Sequence, residues 1–434
     1  MQTLQQLISG ELQGTKTLKL SCGLTSFPNE IFTLSDTLEL LDLSNNKLSQ
    51  LPKKFKDLKK LKIVFLSSNL FTEFPTVFSE CDNLTMIGFK SNQIKYIPEF
   101  VFPKNIQWLI LTDNRIEEIP KSIGTCLKLQ KFGLAGNNLK NLPKEMESCR
   151  NLQLLRISAN QISQLPNWLF SLPKLSWLAF SGNPCSNNNV IKDILPIIDW
   201  NELEIEKQLG EGASGIISEA TWRTLNKTKV AVKVFKGEVT SDGFPEDEMK
   251  SYSAIGYHKN LVNVIGKINN HPNKKSGLVL ELIPSTFKNL GYPPSFETCT
   301  RDTFSAETIF SIKTILFISQ SIADACKYLH YNGIMHGDLY AHNILIDDFS
   351  NTIFGDFGAA TFYNKNNLEL LEYIDVRAFG CLLEDLLNHS TIDIYNRKTA
   401  NALLNLKEKC LNEVITDRPK FIDILNDLKL INNF

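Results

Sequence analysis

The sequence predicts a multidomain chain of mixed class, an α/β solenoid over residues 1–185 followed by an α+β domain over residues 202–434. Three observations carry this. Asparagines recur at 46, 69, 92, 114, 137, 160 and 183, in steps of 22 or 23 residues. A glycine-rich stretch, Gly210-Glu-Gly212-Ala-Ser-Gly215, is followed eighteen residues later by Val-Ala231-Val-Lys233. Finally, Asp338 and Asn343 precede Asp356-Phe357-Gly358 at a spacing that suits a site for a divalent cation and a terminal phosphate. At 434 residues the chain is long enough for two or three domains.

The periodic half comes first. Leu38-x-x-Leu41-x-Leu43-x-x-Asn46 is matched by Leu152-x-x-Leu155-x-Ile157-x-x-Asn160, and Pro52, Pro75, Pro98, Pro120, Pro143 and Pro166 keep the same beat. This pattern resembles leucine-rich repeats of the roughly 23-residue cytoplasmic type. With a weaker first copy (Leu18 to Pro28) and a closing one (Leu175 to Pro184), eight repeats are expected. Each should place a short strand against its neighbours, with the asparagine bonding buried backbone at the turn. Cys81, Cys126 and Cys149 repeat with the coil and are expected to be core residues, neither metal ligands nor a disulfide set. On the concave side the outward strand positions are Leu40, Ile63, Met86, Trp108, Lys131, Leu154 and Trp177, with Phe65, Ile110 and Arg156 in the next row. A row so apolar is expected to bind a protein partner or substrate.

Asn183-Pro-Cys-Ser-Asn-Asn-Asn189 breaks the repeat, and Val190 to Ile198 reads as an apolar cap. Residues 186–201 are therefore assigned as cap and linker. Beyond Trp200 the glycine loop lies between two apolar strand stretches, and a hairpin's length separates it from Lys233. Glu246, Asp247 and Glu248 sit on the following helix, with Glu248 best spaced to hold the lysine. Gly277 to Pro284 is an apolar strand ending at a proline, residues 285–304 form an irregular insertion, and Ser305-Ala-Glu307 opens a long apolar helix running to about Tyr331.

Taken together with His336-Gly-Asp338-Leu-x-x-x-Asn343 and Asp356-Phe-Gly358, these features resemble a protein kinase domain of the tyrosine-kinase-like group, with an N-lobe over 202–284 and a C-lobe over 285–434. The resemblance implies the cofactors ATP and Mg²⁺. It implies that Gly210, Gly212, Gly215, Ile217 and Ala231 line the nucleotide, that Lys233 answers the phosphates, and that the backbone of Glu281 and Ile283 meets adenine beside the gatekeeper Leu280. Asp338 would take the acceptor's proton, while Asn343 and Asp356 would hold the metal. Asp375 resembles the aspartate that ties down the catalytic loop, and Arg418 the late arginine that pairs with an upstream glutamate.

Three positions depart from that pattern. Gly337 stands where an arginine is usual, Tyr340 where a lysine is common, and only sixteen residues separate Gly358 from Asp375. The glutamate of the missing Ala-Pro-Glu could be replaced by Glu369 or Glu372. Control by loop phosphorylation is therefore not expected. The sequence reads as a leucine-rich-repeat protein kinase, with Ser/Thr specificity as the family default. The alternatives are a small-molecule phosphotransferase and a pseudokinase scaffold. A net charge of −1 gives no reason to expect nucleic acid, no apolar run reaches membrane-spanning length, and the cytoplasm is the expected location.

Overall fold

The structure, a computed structural model, describes residues 2–186, 195–212, 214–236, 239–364 and 369–432. The chain forms two compact units. One comprises Met1–Lys174 with Asn183–Cys185, and the other Leu175–Gly182 with Ser186–Phe434.

In the first unit, α1 (Leu4–Ile8) opens on a reciprocal cap between Thr3 and Gln6. Seven three-residue strands follow: β1 (Thr17–Lys19), β2 (Leu40–Asp42), β3 (Ile63–Phe65), β4 (Met86–Gly88), β5 (Trp108–Ile110), β6 (Lys131–Gly133) and β7 (Leu154–Arg156). They pair in parallel in chain order, so Leu40, Ile63, Met86, Trp108, Lys131 and Leu154 form one row in register. The middle residue of each strand points inward, and Leu41, Val64, Ile87, Leu109, Phe132 and Leu155 are fully buried.

On the opposite side, 3₁₀ turns start directly after Pro28, Pro52, Pro75, Pro120, Pro143 and Pro166. Proline's fixed φ suits the extended entry to such a turn, and its missing N–H costs no bond there. Phe27, Phe55, Phe78 and Phe89 pass edge to face from coil to coil, with centroids 5.6–5.9 Å apart.

The asparagines supply what a three-residue strand cannot. The Asn137 amide donates to the carbonyls of Leu111 and Leu134, both at 2.9 Å, and its Oδ1 accepts the Ile116 N–H at 3.0 Å. Asn46, Asn69, Asn92, Asn114 and Asn160 repeat the arrangement one coil along. Each side chain thus satisfies buried backbone groups of two coils at once. Cys126 and Cys149 are buried and Cys81 half-buried, all as free thiols.

The second unit begins with β8 (Trp177–Ala179), the strand of the closing repeat. Its main sheet contains β9 (Ile197–Asp199), β10 (Leu203–Glu211), β11 (Gly215–Trp222) and β12 (Thr228–Phe235), then, after α2 (Pro245–Ile255), β13 (Val264–Asn269) and β14 (Gly277–Glu281). The strand order is β10-β11-β12-β14-β13-β9. Here the structure corrects the linker assignment. Ile197–Asp199 pairs in parallel with β13, and Ile198, 2% exposed, joins the sheet core of Leu203, Ala220, Val230, Val232 and Val279. The expected cap was assigned from apolarity alone, which cannot tell one core from another, and its residues 190–194 lie outside the described residues.

The rest of the unit holds β15 (Lys288–Asn289), α3 (Ile312–Tyr331), β16 (Ile334–Met335), β17 (Ile344–Ile346), β18 (Thr352–Phe354), β19 (Thr361–Phe362), α4 (Glu372–Asn388), α5 (Arg397–Cys410) and α6 (Phe421–Ile431). α3 buries Ile315, Leu316, Ile322, Cys326 and Leu329, a helical stripe facing α4 and α6. It starts six residues later than the apolar pattern suggests. Ser311, not Ser305, accepts the Thr314 N–H as N-cap, while the Phe310 amide is drawn to the His389 carbonyl. No helix among the described residues is long and apolar enough to cross a membrane.

One prediction follows from the ladder. Asn137→Ala strands three buried backbone groups and should lower the unfolding free energy by about 2–3 kcal/mol in denaturant titration. Asn83→Ala, which loses one exposed bond to the Lys59 carbonyl, should cost about 0.5 kcal/mol or less. Equal losses would deny the buried ladder its role.

Candidate active site

The candidate site draws on the main sheet, on α2 and on the loops around Asp338 and Asp356. Lys233 lies on β12, where the register sets it opposite Ile217 on β11 and Leu278 on β14. Ala231, two residues earlier on the same strand face, is opposite Leu280. Gly215 is where β11 meets β12 most closely: a Cβ there would lie 2.7 Å from the Val234 carbonyl oxygen. Gly210 and Gly212 face open space, and the Gly212 N–H closes the loop onto the Gly215 carbonyl at 2.9 Å. β14 ends at Glu281, whose N–H donates to the Asn263 carbonyl at 3.0 Å, and Ile283 follows it, half-buried.

α2 presents Glu248 to Lys233 as a directly hydrogen-bonded ion pair, with side chains 2% and 7% exposed. Of the three acids at this helix start, Glu246 and Asp247 point elsewhere, and Asp247 bonds Lys250. Burial pushes the Glu248 carboxyl up to about 7, with Lys233 pulling it back only in part. For Lys233 burial acts downward, but Glu248 and Asp356 outweigh it and hold the ammonium above its ordinary value. The lysine is therefore charged throughout the physiological range.

The loop from His336 to Asn343 hangs from Asp375, a fully buried residue on α4. Its carboxylate accepts the His336 N–H at 2.8 Å and the Gly337 N–H at 3.0 Å, and lies 3.0 Å from His330 Nε2. The Asp338 N–H donates to His336 Nδ1 at 3.3 Å, so His336 carries its proton on Nε2, which faces the Gly355 carbonyl at 3.2 Å. Burial lowers the pKa of that imidazole and keeps it neutral. The Asn343 amide then donates to both the carbonyl (3.0 Å) and the carboxylate (2.9 Å) of Asp338. This leaves Asn343 Oδ1 available as an oxygen donor.

Asp356 adopts a left-handed φ of 57°, which turns its side chain away from the strand direction. Phe357 is fully buried against Tyr252 of α2 (4.9 Å) and His336 (5.0 Å). That packing ties the Asp356 turn to the helix that carries Glu248. Among the described residues no group of three or more His, Cys, Asp and Glu could hold a metal. One carboxylate and one amide oxygen nevertheless fit Mg²⁺, which keeps several waters and shares phosphate oxygens.

Sequence reasoning missed several contributors. Asp302, inside the insertion, bonds the His342 Nδ1 at 2.7 Å and accepts the His342 N–H at 2.9 Å. Arg301 next to it forks onto Glu384 and Asp385 of α4 and donates to the Cys381 carbonyl. The two side chains fasten the insertion to both the 336–343 loop and α4, a pairing no local spacing could reveal. Neither glutamate suggested for Arg418 is seen with it. Glu372 accepts the Phe421 N–H at 2.9 Å, and Glu369 is 4.0 Å from Lys420. Arg418 donates instead to the carbonyls of Asn412 and Tyr373. On the repeat row, Met86 and Leu154 are 3% exposed. Trp177, 1% exposed, is no open partner surface: its ring is stacked on Tyr340 of the 336–343 loop.

Residues 203–373 match the family described as protein tyrosine and serine/threonine kinase, and residues 37–58 and 128–184 match leucine rich repeats. The chain is 32% identical over 161 residues to "Probable serine/threonine-protein kinase gdt4" of Dictyostelium discoideum, covering 37% of this chain and 9% of that one. It is 29% identical over 175 residues to fibroblast growth factor receptor 1 of Xenopus laevis, covering 37% and 21%. It is also 24% identical over 271 residues to serine/threonine-protein kinase STY17 of Arabidopsis thaliana, covering 53% and 45%. The chain thus spans under half the length of each of these relatives. It joins leucine-rich repeats to a protein kinase domain.

The Glu248 carboxyl gives a prediction. A pKa raised from the ordinary 4.5 to about 7 means the fold favours the neutral acid. Its contribution to stability is full below about 4.5 and is lost as pH rises through about 7. The melting temperature of Glu248→Gln relative to the parent should therefore climb between pH 5 and 7.5 and then level off. A difference that does not change with pH would place the titration elsewhere.

Proposed function

We propose that the chain is an ATP- and Mg²⁺-dependent protein kinase that transfers the γ-phosphate to a serine or threonine hydroxyl of a protein. The observation that carries this reading is the joint presence, in one unit, of the closed Lys233–Glu248 pair, the Asp338–Asn343 bond and the inward-packed Phe357. These are the parts that must be in place together for phosphoryl transfer.

In this reading the loop of Gly210, Gly212 and Gly215 lets backbone N–H groups approach the phosphates, with Ile217 and Ala231 lining the base. The Glu281 carbonyl and the Ile283 N–H meet the adenine edge. Glu248 fixes Lys233, whose ammonium offsets the α- and β-phosphate charge. Asn343 Oδ1 and Asp356 would hold Mg²⁺, whose charge would offset that of the terminal phosphates. Asp338, its carboxylate oriented by the Asn343 amide, orients the acceptor hydroxyl and takes its proton. Leu40, Ile63, Phe65, Trp108 and Ile110 form the part of the repeat row that recruits the protein substrate or another partner, in the cytoplasm.

With Mg-ATP the protein should label itself or a generic protein substrate, and Asp338→Asn should lower kcat by about a hundredfold or more while nucleotide binding persists. An unchanged rate would remove Asp338 from the chemistry. Ile63→Asp should abolish capture of the repeat partner without altering the melting temperature by more than a few degrees; equal capture would move the binding surface elsewhere.

A further inference from the structure

We propose that the segment Leu175–Gly182, the strand of the closing repeat, is a working part of the catalytic apparatus, with Trp177 as a positioning residue for Asp338. The inference rests on the kinase reading above and deepens it.

The residues on both sides of Asp338 meet this strand. After Asp338, the Leu339 carbonyl accepts the Trp177 Nε1–H at 3.0 Å, a bond buried from solvent. The Trp177 indole lies flat on the Tyr340 ring, with centroids 4.4 Å apart and planes 6° from parallel. Both rings are almost fully buried, at 1% and 5% exposure. Before Asp338, Gly337 has a φ of 72°, and a Cβ placed there would sit 2.3 Å from the Leu178 carbonyl oxygen and 3.2 Å from that of Ala359. No side chain fits at 337 while the strand is in place, which explains why this position is glycine. The strand is itself anchored: the Ser176 hydroxyl lies 3.9 Å from the Cys381 sulfur and 3.5 Å from Arg377 Nη1, both on α4. The Ser181 hydroxyl donates to the Asp242 carbonyl, in the loop that leads into α2, at 3.4 Å.

The loop's other bonds act elsewhere. Asp375 holds the amides of His336 and Gly337, and Asp302 holds His342. Between those anchor points, Trp177 grips the backbone of Leu339 and the ring of Tyr340. A shift of this stretch would move the Asp338 carboxylate relative to the acceptor hydroxyl, and misplacement on the order of 1 Å costs up to about a hundredfold in rate. ATP contacts would be spared, because Lys233, the glycine loop and the β14 edge lie on other elements.

The test uses the full chain. Trp177→Ala should lower kcat by about tenfold or more, with the KM for ATP within about twofold of the parent. Trp177→Phe keeps the stack and should recover most of the rate. By hydrogen exchange, the amides of residues 337–342 should lose protection in Trp177→Ala, while those of β12 and α2 keep theirs. Should Trp177→Ala fail to fold, Gly337→Ala approaches the same contact from the other side, and it should show the same split between kcat and KM. A kcat that is unchanged or higher, or a loop whose exchange does not change, overturns the proposal. If the parent transfers no phosphate, the kinase reading falls, and the exchange comparison alone decides whether the strand holds the loop.

Discussion

The loop that carries Asp338 depends on one buried carboxylate. Asp375 has no exposure to solvent, and a carboxylate in that position is costly unless its oxygens are fully engaged. The amides of His336 and Gly337 and the His330 ring engage it. Those two amides belong to consecutive residues, so the carboxylate fixes the direction in which the chain enters Asp338. His336, held neutral, passes the constraint on in two directions: to the Asp338 N–H through one ring nitrogen and to the Gly355 carbonyl through the other. One interaction on α4 thus sets both the proposed base and the start of the Asp356 turn.

A second constraint is the balance of charge beneath β12. Lys233 and Glu248 form a pair nearly closed to water, and the carboxylates of Asp356 and Asp242 act on both members. Burial is what pushes Glu248 toward neutrality, with Asp356 and Asp242 adding to it, while the surrounding acids hold Lys233 charged. Phe357 couples this group to α2 by packing, so the acid and the helix cannot move independently without opening a cavity.

In the repeats the ordering principle is different. A three-residue strand leaves the backbone of the adjoining turn short of partners, and each asparagine supplies them for two coils. Because the same requirement returns with each turn of the solenoid, it prints itself on the sequence as a period. The Asp302–His342 and Arg301–Asp385 contacts answer a requirement met only once, and so leave no pattern to read.

That contrast separates what the sequence determined by itself from what the tertiary structure decided. Repeat length, the glycine loop with its lysine, and the order Asp338, Asn343, Asp356 were legible because each depends on spacing along the chain. The choice of Glu248 among three acids lay at the edge of legibility: helix phase narrows it, but the partner is on a strand fifteen residues earlier. The start of α3 was misjudged because Ser305 and Ser311 offer the same capping chemistry, and a distant carbonyl decides between them. Trp177 reads in sequence as one more member of an exposed apolar row. Its period sets which face of the strand it occupies, but that face is covered by Tyr340, 163 residues further along the chain. Gly337 looked like a lost arginine and is instead the fit to a strand 159 residues away. Spacing encodes what a residue's own element does with it; what packs against that element is set by the fold.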